Sequence, residues 1–564
     1  MQEQNSSTYA GLTIGPISDV MRHSKKTKEQ WFGSYLFSWY MERVMKAIAH
    51  DLGANVFLTP HYDPQLVQQK DNPIKPLGGK YPDRFVLKTN KPCSDVFKSI
   101  ETACNDGLDF FSKMIISIIH RHQLSDFLVD ESEIFEIIKN YIQIRFFCLT
   151  SSDFFAHYCP EKDLPVDIAY DILDSLESSF IFKPGKSDKT CDVCKTLSAC
   201  AFAKDLYKDK IEKLCPLCYI KRFASFNDDL KKRILHEKNT PIFPSVKEIA
   251  INELSPIYDD LINKCKDKED DIDLNKLHSL LKANKTISKD DKKTGLKKYH
   301  KYFAIVQADG DNLGKLAKDK DMNPQKLSKS LFDFAAKTEE LINDYGGYPV
   351  FLGGDDILAY MPVCYQGTTV IDFIKEISSE YKKIVDNNKN KTSISFGLNI
   401  VYNKFPLARA LENVSYLLFD KAKKIAGKNC MAVCQTMHSG SKTQFTLQFD
   451  SDKQVDNKKT KLEAFSDMIS NTLDNERYLP RGIAHNLERF KKIIAKINNT
   501  DRLKAFFDNT LNEPVFMEYS DSLQMLLKFF ETFLFTEKDK DQAIDNILNM
   551  LYFIKFITDE ADHE

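Results

Sequence analysis

A chain of 564 residues has room for roughly three to five domains of ordinary size. Hydrophobic residues make up 42% of it and charged residues 28%, a globular composition that excludes a disordered chain. The 79 Lys and Arg against 81 Asp and Glu leave a net charge of −2, which excludes a uniformly basic coat for nucleic acid but allows a local basic patch.

Residues 1–10 are polar and lack the apolar core of a signal peptide. The longest apolar runs, such as 114–119, are too short to span a bilayer. Most of the 13 cysteines, among them Cys104, Cys148, Cys364 and Cys430, sit singly among apolar neighbours, as reduced core thiols do. The expectation is a cytoplasmic protein with no membrane contact.

In chain order, residues 9–17 form a short apolar run ending at Gly15-Pro16, and 28–49 carry helical spacing with Trp31, Tyr35, Leu36 and Trp39 on one broad face. Residues 55–59 and 84–89 read as strands bounded by Pro and Asp, and 94–122 and 131–148 as helices. This predicts a first α/β domain over 1–182. Pro184-Gly185-Lys186-Ser187 echoes a phosphate loop, but Phe180 stands where the earlier glycine is required.

Residues 183–300 are predicted to form a helical domain. Two pairs, Cys191-x-x-Cys194 and Cys215-x-x-Cys218, can clamp opposite edges of one tetrahedral zinc ion. Four thiolates close such a site, so it is structural rather than catalytic, with Cys200 a spare thiol able to replace one ligand. The competing reading is four unrelated buried cysteines. Further on, residues 282–301 carry eight lysines against two aspartates, a solvated linker or a phosphate-facing strip.

Residues 301–436 are the most legible. A buried-type strand over 302–308 ends in Asp309-Gly310-Asp311-Asn312, and a helix over 326–344 stops at Gly346-Gly347. Two short strands flank Gly353-Gly354-Asp355-Asp356, a hairpin signal, and a helix over 370–387 and a strand over 393–402 follow. The order β-α-β-β-α-β predicts a ferredoxin-like domain in which the first and third strands are neighbours. Their carboxylates then gather at one sheet edge, where clustered acids repel unless a cation joins them. Hard oxygen ligands suit Mg²⁺ or Mn²⁺ shared with substrate phosphates, and glycines let a triphosphate approach the backbone. Taken alone, Gly-Gly-Asp-Asp also makes a simple tight turn. Lys423 and Lys428, in the basic stretch 420–429, read either as a solvated helix end or as charges that neutralise a triphosphate. The remainder, 437–564, has long helical patterns over 486–497, 522–535 and 542–557, and predicts a helical bundle.

Residues 304–314, the 353–356 turn and 393–433 resemble the catalytic Palm of the large polymerase-like subunit of type III CRISPR effector complexes. Gly15-Pro16-Ile17, Trp31-Phe32-Gly33-Ser34-Tyr35-Leu36 and Tyr81-Pro82-Asp83-Arg84-Phe85 resemble its Cmr-type, III-B, version, and Ala422-Lys423 with Gly427-Lys428-Asn429 resembles diguanylate cyclases. The resemblance implies an α+β chain with two ferredoxin-like Palms, the first degenerate, a zinc-binding helical domain between them and a C-terminal helical bundle. It implies ATP as substrate, with Asp309, Asp311, Asp355 and Asp356 holding Mg²⁺ or Mn²⁺, while Gly310, Asn312, Gly353, Gly354, Lys423 and Lys428 bind the nucleotide. The expected product is cyclic oligoadenylate, made with partner subunits, CRISPR guide RNA and target RNA. Alternatives are an AMP conjugate of S-adenosylmethionine and an inert scaffold. With a first Palm starting by residue 9, and His50-Asp51 at a helix end, no HD nuclease domain and no DNA cleavage are expected.

Overall fold

The computed structural model describes residues 7–64, 78–121, 128–156, 165–179, 190–204, 211–223, 243–266, 272–283, 296–317, 323–387, 389, 391–449, 460–474, 479, 482–510, 520–536 and 539–560. Most of the lysine-rich stretch, the phosphate-loop echo and the 182/183 boundary lie outside them. The chain is mixed α+β and packs as two compact units. The first holds residues 1–245, 312–339 and 348–357, and the second 246–311, 340–347 and 358–564.

In the first unit, β1 (Thr8–Gly15), β2 (Phe57–Thr59), β3 (Arg84–Thr89) and β4 (Gln143–Thr150) form an antiparallel sheet of order β2-β3-β1-β4. β1 lies at its centre, with Ala10 opposite Leu87 on one side and Cys148 on the other. A helix was expected over 131–148, but it ends at Tyr141 and β4 begins at Gln143. The apolar count of Ile144, Phe146, Phe147 and Leu149 suits either state, and eight residues of pairing with β1 decide for strand.

The helix Thr27–Leu52 is buried on every side from Thr27 to Met41, not on one face alone. Trp31 packs on Phe243 at 5.6 Å and Trp39 on Phe110 at 5.6 Å. The hairpin β5 (Ala201–Lys204) and β6 (Ile211–Leu214) and the helix Pro216–Phe223 belong to the same unit.

The larger sheet has the order β14-β13-β12-β7-β9-β8. Its strands are β7 (Tyr302–Asp311), β8 (Tyr348–Gly353), β9 (Asp356–Met361), β12 (Ser393–Tyr402), β13 (Cys430–Thr436) and β14 (Lys442–Gln448). The small hairpin β10 (Cys364–Tyr365) and β11 (Thr368–Thr369) leads into the helix Val370–Ile384, started by a capping box between Thr369 and Asp372. β7 and β9 are neighbours, as the β-α-β-β-α-β reading expects. β13 then adds parallel to β12, and β14 antiparallel to β13.

Between β12 and β13 the chain forms the helix Leu407–Tyr416 and a π-helical stretch, Leu417–Ile425. A Cβ at Gly397 on β12 meets the Val414 carbonyl oxygen at 2.5 Å and the Leu418 nitrogen at 2.9 Å. Glycine is what lets this helical segment lie close on the sheet. After β14 come helices only, among the described residues. The pattern over 486–497 is two short helices, Ile483–Arg489 and Lys491–Ile494, broken at Phe490. The last helix, Lys540–Thr558, packs on β14, where Asn549 donates to the Gln444 carbonyl at 2.8 Å and Phe553 meets Phe445 at 5.8 Å. No described helix is long and apolar enough to cross a membrane.

Candidate active site and metal centre

In the second unit the acidic end of β7 lies against β12, with Asp309 opposite Ser395 and Asp311 opposite Ser393. Alternation along a strand sends neighbours i and i+2 to the same face, yet these two aspartates have different surroundings. The Asp309 side chain is 22% exposed and forms an ion pair with Lys423. The same ammonium donates to the Gly310 carbonyl at 2.8 Å. A carboxylate beside a backbone carbonyl is a hard-oxygen donor set that fits Mg²⁺ or Mn²⁺.

Asp311 is fully buried. Its Oδ2 accepts from Ser393 Oγ at 2.8 Å, Ser395 Oγ at 2.7 Å and the Asn429 backbone N–H at 2.9 Å. These bonds tie β7 to β12 and to the loop before β13, so Asp311 acts as a buttress behind Asp309. Asp311→Ala strands three donors in a buried place and is expected to cost about 2–4 kcal/mol of stability, read as a lowered unfolding midpoint. A variant that melts like the parent contradicts that role. None of Ser393, Ser395 and Asn429 stands out in the sequence, because it is their tertiary placement that makes them partners.

Lys423 comes from the π-helical stretch, a distortion common at functional sites. Burial, reinforced by the charge of Lys428, pushes its ammonium down to about 8. Gly427, Lys428 and Asn429 all take left-handed backbone angles, φ 88°, 76° and 48°. Two of these are non-glycine residues, an arrangement that the Asn429–Asp311 bond helps hold.

The first unit holds the turn between β8 and β9. Gly353 ends β8, Gly354 takes φ 78°, and Asp356 begins β9. The positive φ at Gly354 is a backbone requirement of the tight turn that its sequence also allows. Asp356 reaches solvent, but loss of hydration, then the charges of Asp355 and Asp83, push its carboxyl up to about 8. Asp83 is a finding of the tertiary structure. It precedes β3, accepts the Ile14 N–H at its carbonyl at 3.0 Å, and desolvation raises its carboxyl. Three acids thus crowd one place in this unit, an arrangement a cation relieves. Asn312, also in this unit, has φ 60° and accepts the Lys315 and Leu316 N–H groups at the start of a short helix.

The zinc ligands expected from spacing come together. The sulfurs of Cys191, Cys194, Cys215 and Cys218 all lie within 4.8 Å of one another, and all four residues are buried. The Cys194–Cys215 separation is 3.8 Å, which matches the tetrahedron edge of about 3.8 Å set by Zn–S bonds of about 2.3 Å. Hydrogen bonds from Cys191, Cys215 and Cys218 hold the Cys194 thiol far below its ordinary range, while burial holds Cys215 well above it. Cys200 stands outside the cluster, and burial pushes its thiol up, as in a core residue. The expected His50-Asp51 pair is an exposed contact of 3.3 Å at the end of the helix Thr27–Leu52.

Residues 302–432 match the family described as Cas10/Cmr2, second palm domain, and residues 9–111 match the CRISPR-associated protein Cmr2, N-terminal region. Both stretches of the chain are thus similar to Cas10/Cmr2 proteins. A curated member, the CRISPR system Cmr subunit Cmr2 of Pyrococcus furiosus, is 26% identical over 302 residues, covering 42% of this chain. The match spans 33% of that protein's length. Among solved structures, a chain of the type III-B Cmr-beta complex in its apo state superposes with a TM-score of 0.65 at 13% identity, covering 97% of this chain and 82% of that one. The same complex bound to cognate target RNA gives 0.63 at 13% identity, with coverages of 98% and 83%. At such identity the likeness is one of fold, and it extends over nearly the whole of this chain.

Proposed function

We propose that this chain is the nucleotidyltransferase subunit of a type III-B CRISPR effector complex, which turns ATP into a cyclic oligoadenylate signal when the guide RNA captures target RNA. The observation that carries the reading is the acidic end of β7, where Asp309 meets Lys423 and the Gly310 carbonyl oxygen within the stretch that matches the second palm domain.

In this reading Asp309, Asp355 and Asp356 hold Mg²⁺ or Mn²⁺, which supply charge neutralisation for the triphosphate and activation of the attacking hydroxyl. The reaction is attack of a 3′-hydroxyl on the α-phosphate of ATP, with pyrophosphate leaving. Lys423 and Lys428 bring positive charge to the phosphates, and Gly310, Asn312, Gly353 and Gly354 line the nucleotide's path. Asp311 keeps Asp309 in place. The first sheet has the ferredoxin-like strand order, and its β1 ends at Gly15 and is followed by Pro16-Ile17-Ser18-Asp19, without an acid pair. It serves as a degenerate Palm that holds the second nucleotide. The zinc centre is structural, and the C-terminal helices form a bundle carried on the catalytic Palm.

The test is mass spectrometry of products from the target-RNA-bound complex, given ATP and Mg²⁺ or Mn²⁺, with and without S-adenosylmethionine. Oligoadenylate is the expected product in both cases. A complex that forms no product from ATP is a scaffold and refutes the assignment, and a product formed only with S-adenosylmethionine replaces it with AMP conjugation.

A further inference from the structure

Cys148 reads from sequence as an isolated core thiol, but the fold gives it a partner. Its Sγ lies 2.9 Å from Cys93 Sγ, across 55 positions of sequence. Each sulfur also lies near the other residue's carbonyl oxygen, at 3.1 and 3.2 Å. Both residues are half-buried, so small reagents reach them, unlike the sealed thiols of Cys104, Cys364 and Cys430. A disulfide has its sulfurs about 2.05 Å apart, so less than about 1 Å of movement separates the pair from bonding.

Cys93 opens the helix Cys93–Arg121 just after β3, and Cys148 lies on β4, whose sheet neighbour is β1 alone. We propose that Cys93 and Cys148 form a reversible disulfide, made by exchange with a low-molecular-weight disulfide such as oxidised glutathione, which pins the edge strand β4 to the start of that helix.

The chemistry balances in two steps. The Cys93 thiolate attacks one sulfur of the small disulfide, forming a mixed disulfide and releasing one thiol. Cys148, after losing its proton, attacks the Cys93 sulfur of that intermediate and releases the second thiol. The two cysteines are oxidised, and the small disulfide is reduced to two thiols. Desolvation, reinforced by the neighbouring Cys93, pushes the Cys148 thiol up to about 12, which suits it to the later, resolving step. Closing the loop between residues 93 and 148 removes freedom from the unfolded chain and holds the edge strand in place.

The experiment treats the zinc-loaded full chain with oxidised glutathione, blocks remaining thiols with N-ethylmaleimide, and analyses an unreduced digest by mass spectrometry. The expected result is one linked peptide pair holding Cys93 and Cys148, with an unfolding midpoint raised by about 5 °C and restored by dithiothreitol. Cys93→Ser, Cys148→Ser and Cys148→Ala should each lose both the link and the shift. Recovery of both residues as separate maleimide or glutathione adducts overturns the proposal. So does a link that leaves the melting midpoint unchanged, or a shift that survives in the Cys93→Ser chain.

Discussion

Replacing Asp355 and Asp356 together with alanine is expected to abolish nucleotide synthesis while leaving the chain folded and able to assemble. The turn that carries them is set by Gly354 and its positive φ, not by the acid side chains, so the backbone survives the change. The chemistry does not. A triphosphate brings several negative charges towards carboxylates that already repel one another, and only a cation reverses that field. Losing several kcal/mol of transition-state stabilisation lowers turnover by more than about 10³-fold. The check is ATP consumption and product formation by the target-bound complex, and a double variant working at the parental rate refutes the placement of the site.

Replacing Asp356 alone is expected to have the opposite effect on the stability of metal-free protein. Asp356 titrates near 8 when folded, against an ordinary value near 3.8. A carboxyl raised on folding binds its proton more tightly in the native state, so its contribution to stability is lost as pH climbs from the unfolded value through about 8. Asp356→Ala removes that loss. Without divalent cations, the melting midpoint of the Asp356→Ala chain should therefore gain on the parent between pH 5 and pH 8.5. Equal pH dependence in the two proteins contradicts the crowding of Asp83, Asp355 and Asp356.

Zinc removal should be the second large effect, and its consequence should reach the N-terminal sheet. In comparable small sites the metal contributes on the order of 10 kcal/mol, similar to the whole stability of a domain. The cluster is connected to its surroundings by charge. The helix Pro216–Phe223 carries Cys218 and, one turn on, Lys221 and Arg222. Arg222, 7% exposed, bonds Glu29 at 3.2 Å and also pairs with Glu212, while Lys25 meets Glu212 at 3.0 Å. Lys221 donates to the Val20 carbonyl at 2.7 Å and to Ser24 Oγ at 3.2 Å.

If the zinc site opens, these buried charges lose their partners, and breaking one such pair alone costs about 3–5 kcal/mol. Cys215→Ser, or prolonged chelation, should lower the unfolding midpoint and expose the helix Thr27–Leu52 to limited proteolysis. Elemental analysis should find one zinc per chain beforehand. A chelated chain that melts as before, or protein purified with less than half an equivalent of zinc, removes the case for a structural centre.

What the sequence alone determined is what short spacing encodes. Two Cys-x-x-Cys pairs specify a tetrahedral clamp because each turn presents its own two sulfurs. The alternation of β7, the bounds of β12 and the 353–356 turn are local, whereas β7 runs past the expected 308 to Asp311 by pairing with β12, and strand order then makes β7 and β9 neighbours. The tertiary structure decided whatever depends on distant partners. Asp309 and Asp311 look alike in the sequence, but Ser393, Ser395 and Asn429 make Asp311 a buried buttress, while Asp309 stays partly exposed beside Lys423. Asp83 joins Asp355 and Asp356 across nearly half the chain, and Cys93 meets Cys148 across 55 positions. Residues 143–150 became a strand rather than a helix for the same reason. Their pattern permits both, and pairing with β1, remote in sequence, supplied the hydrogen bonds that favoured one.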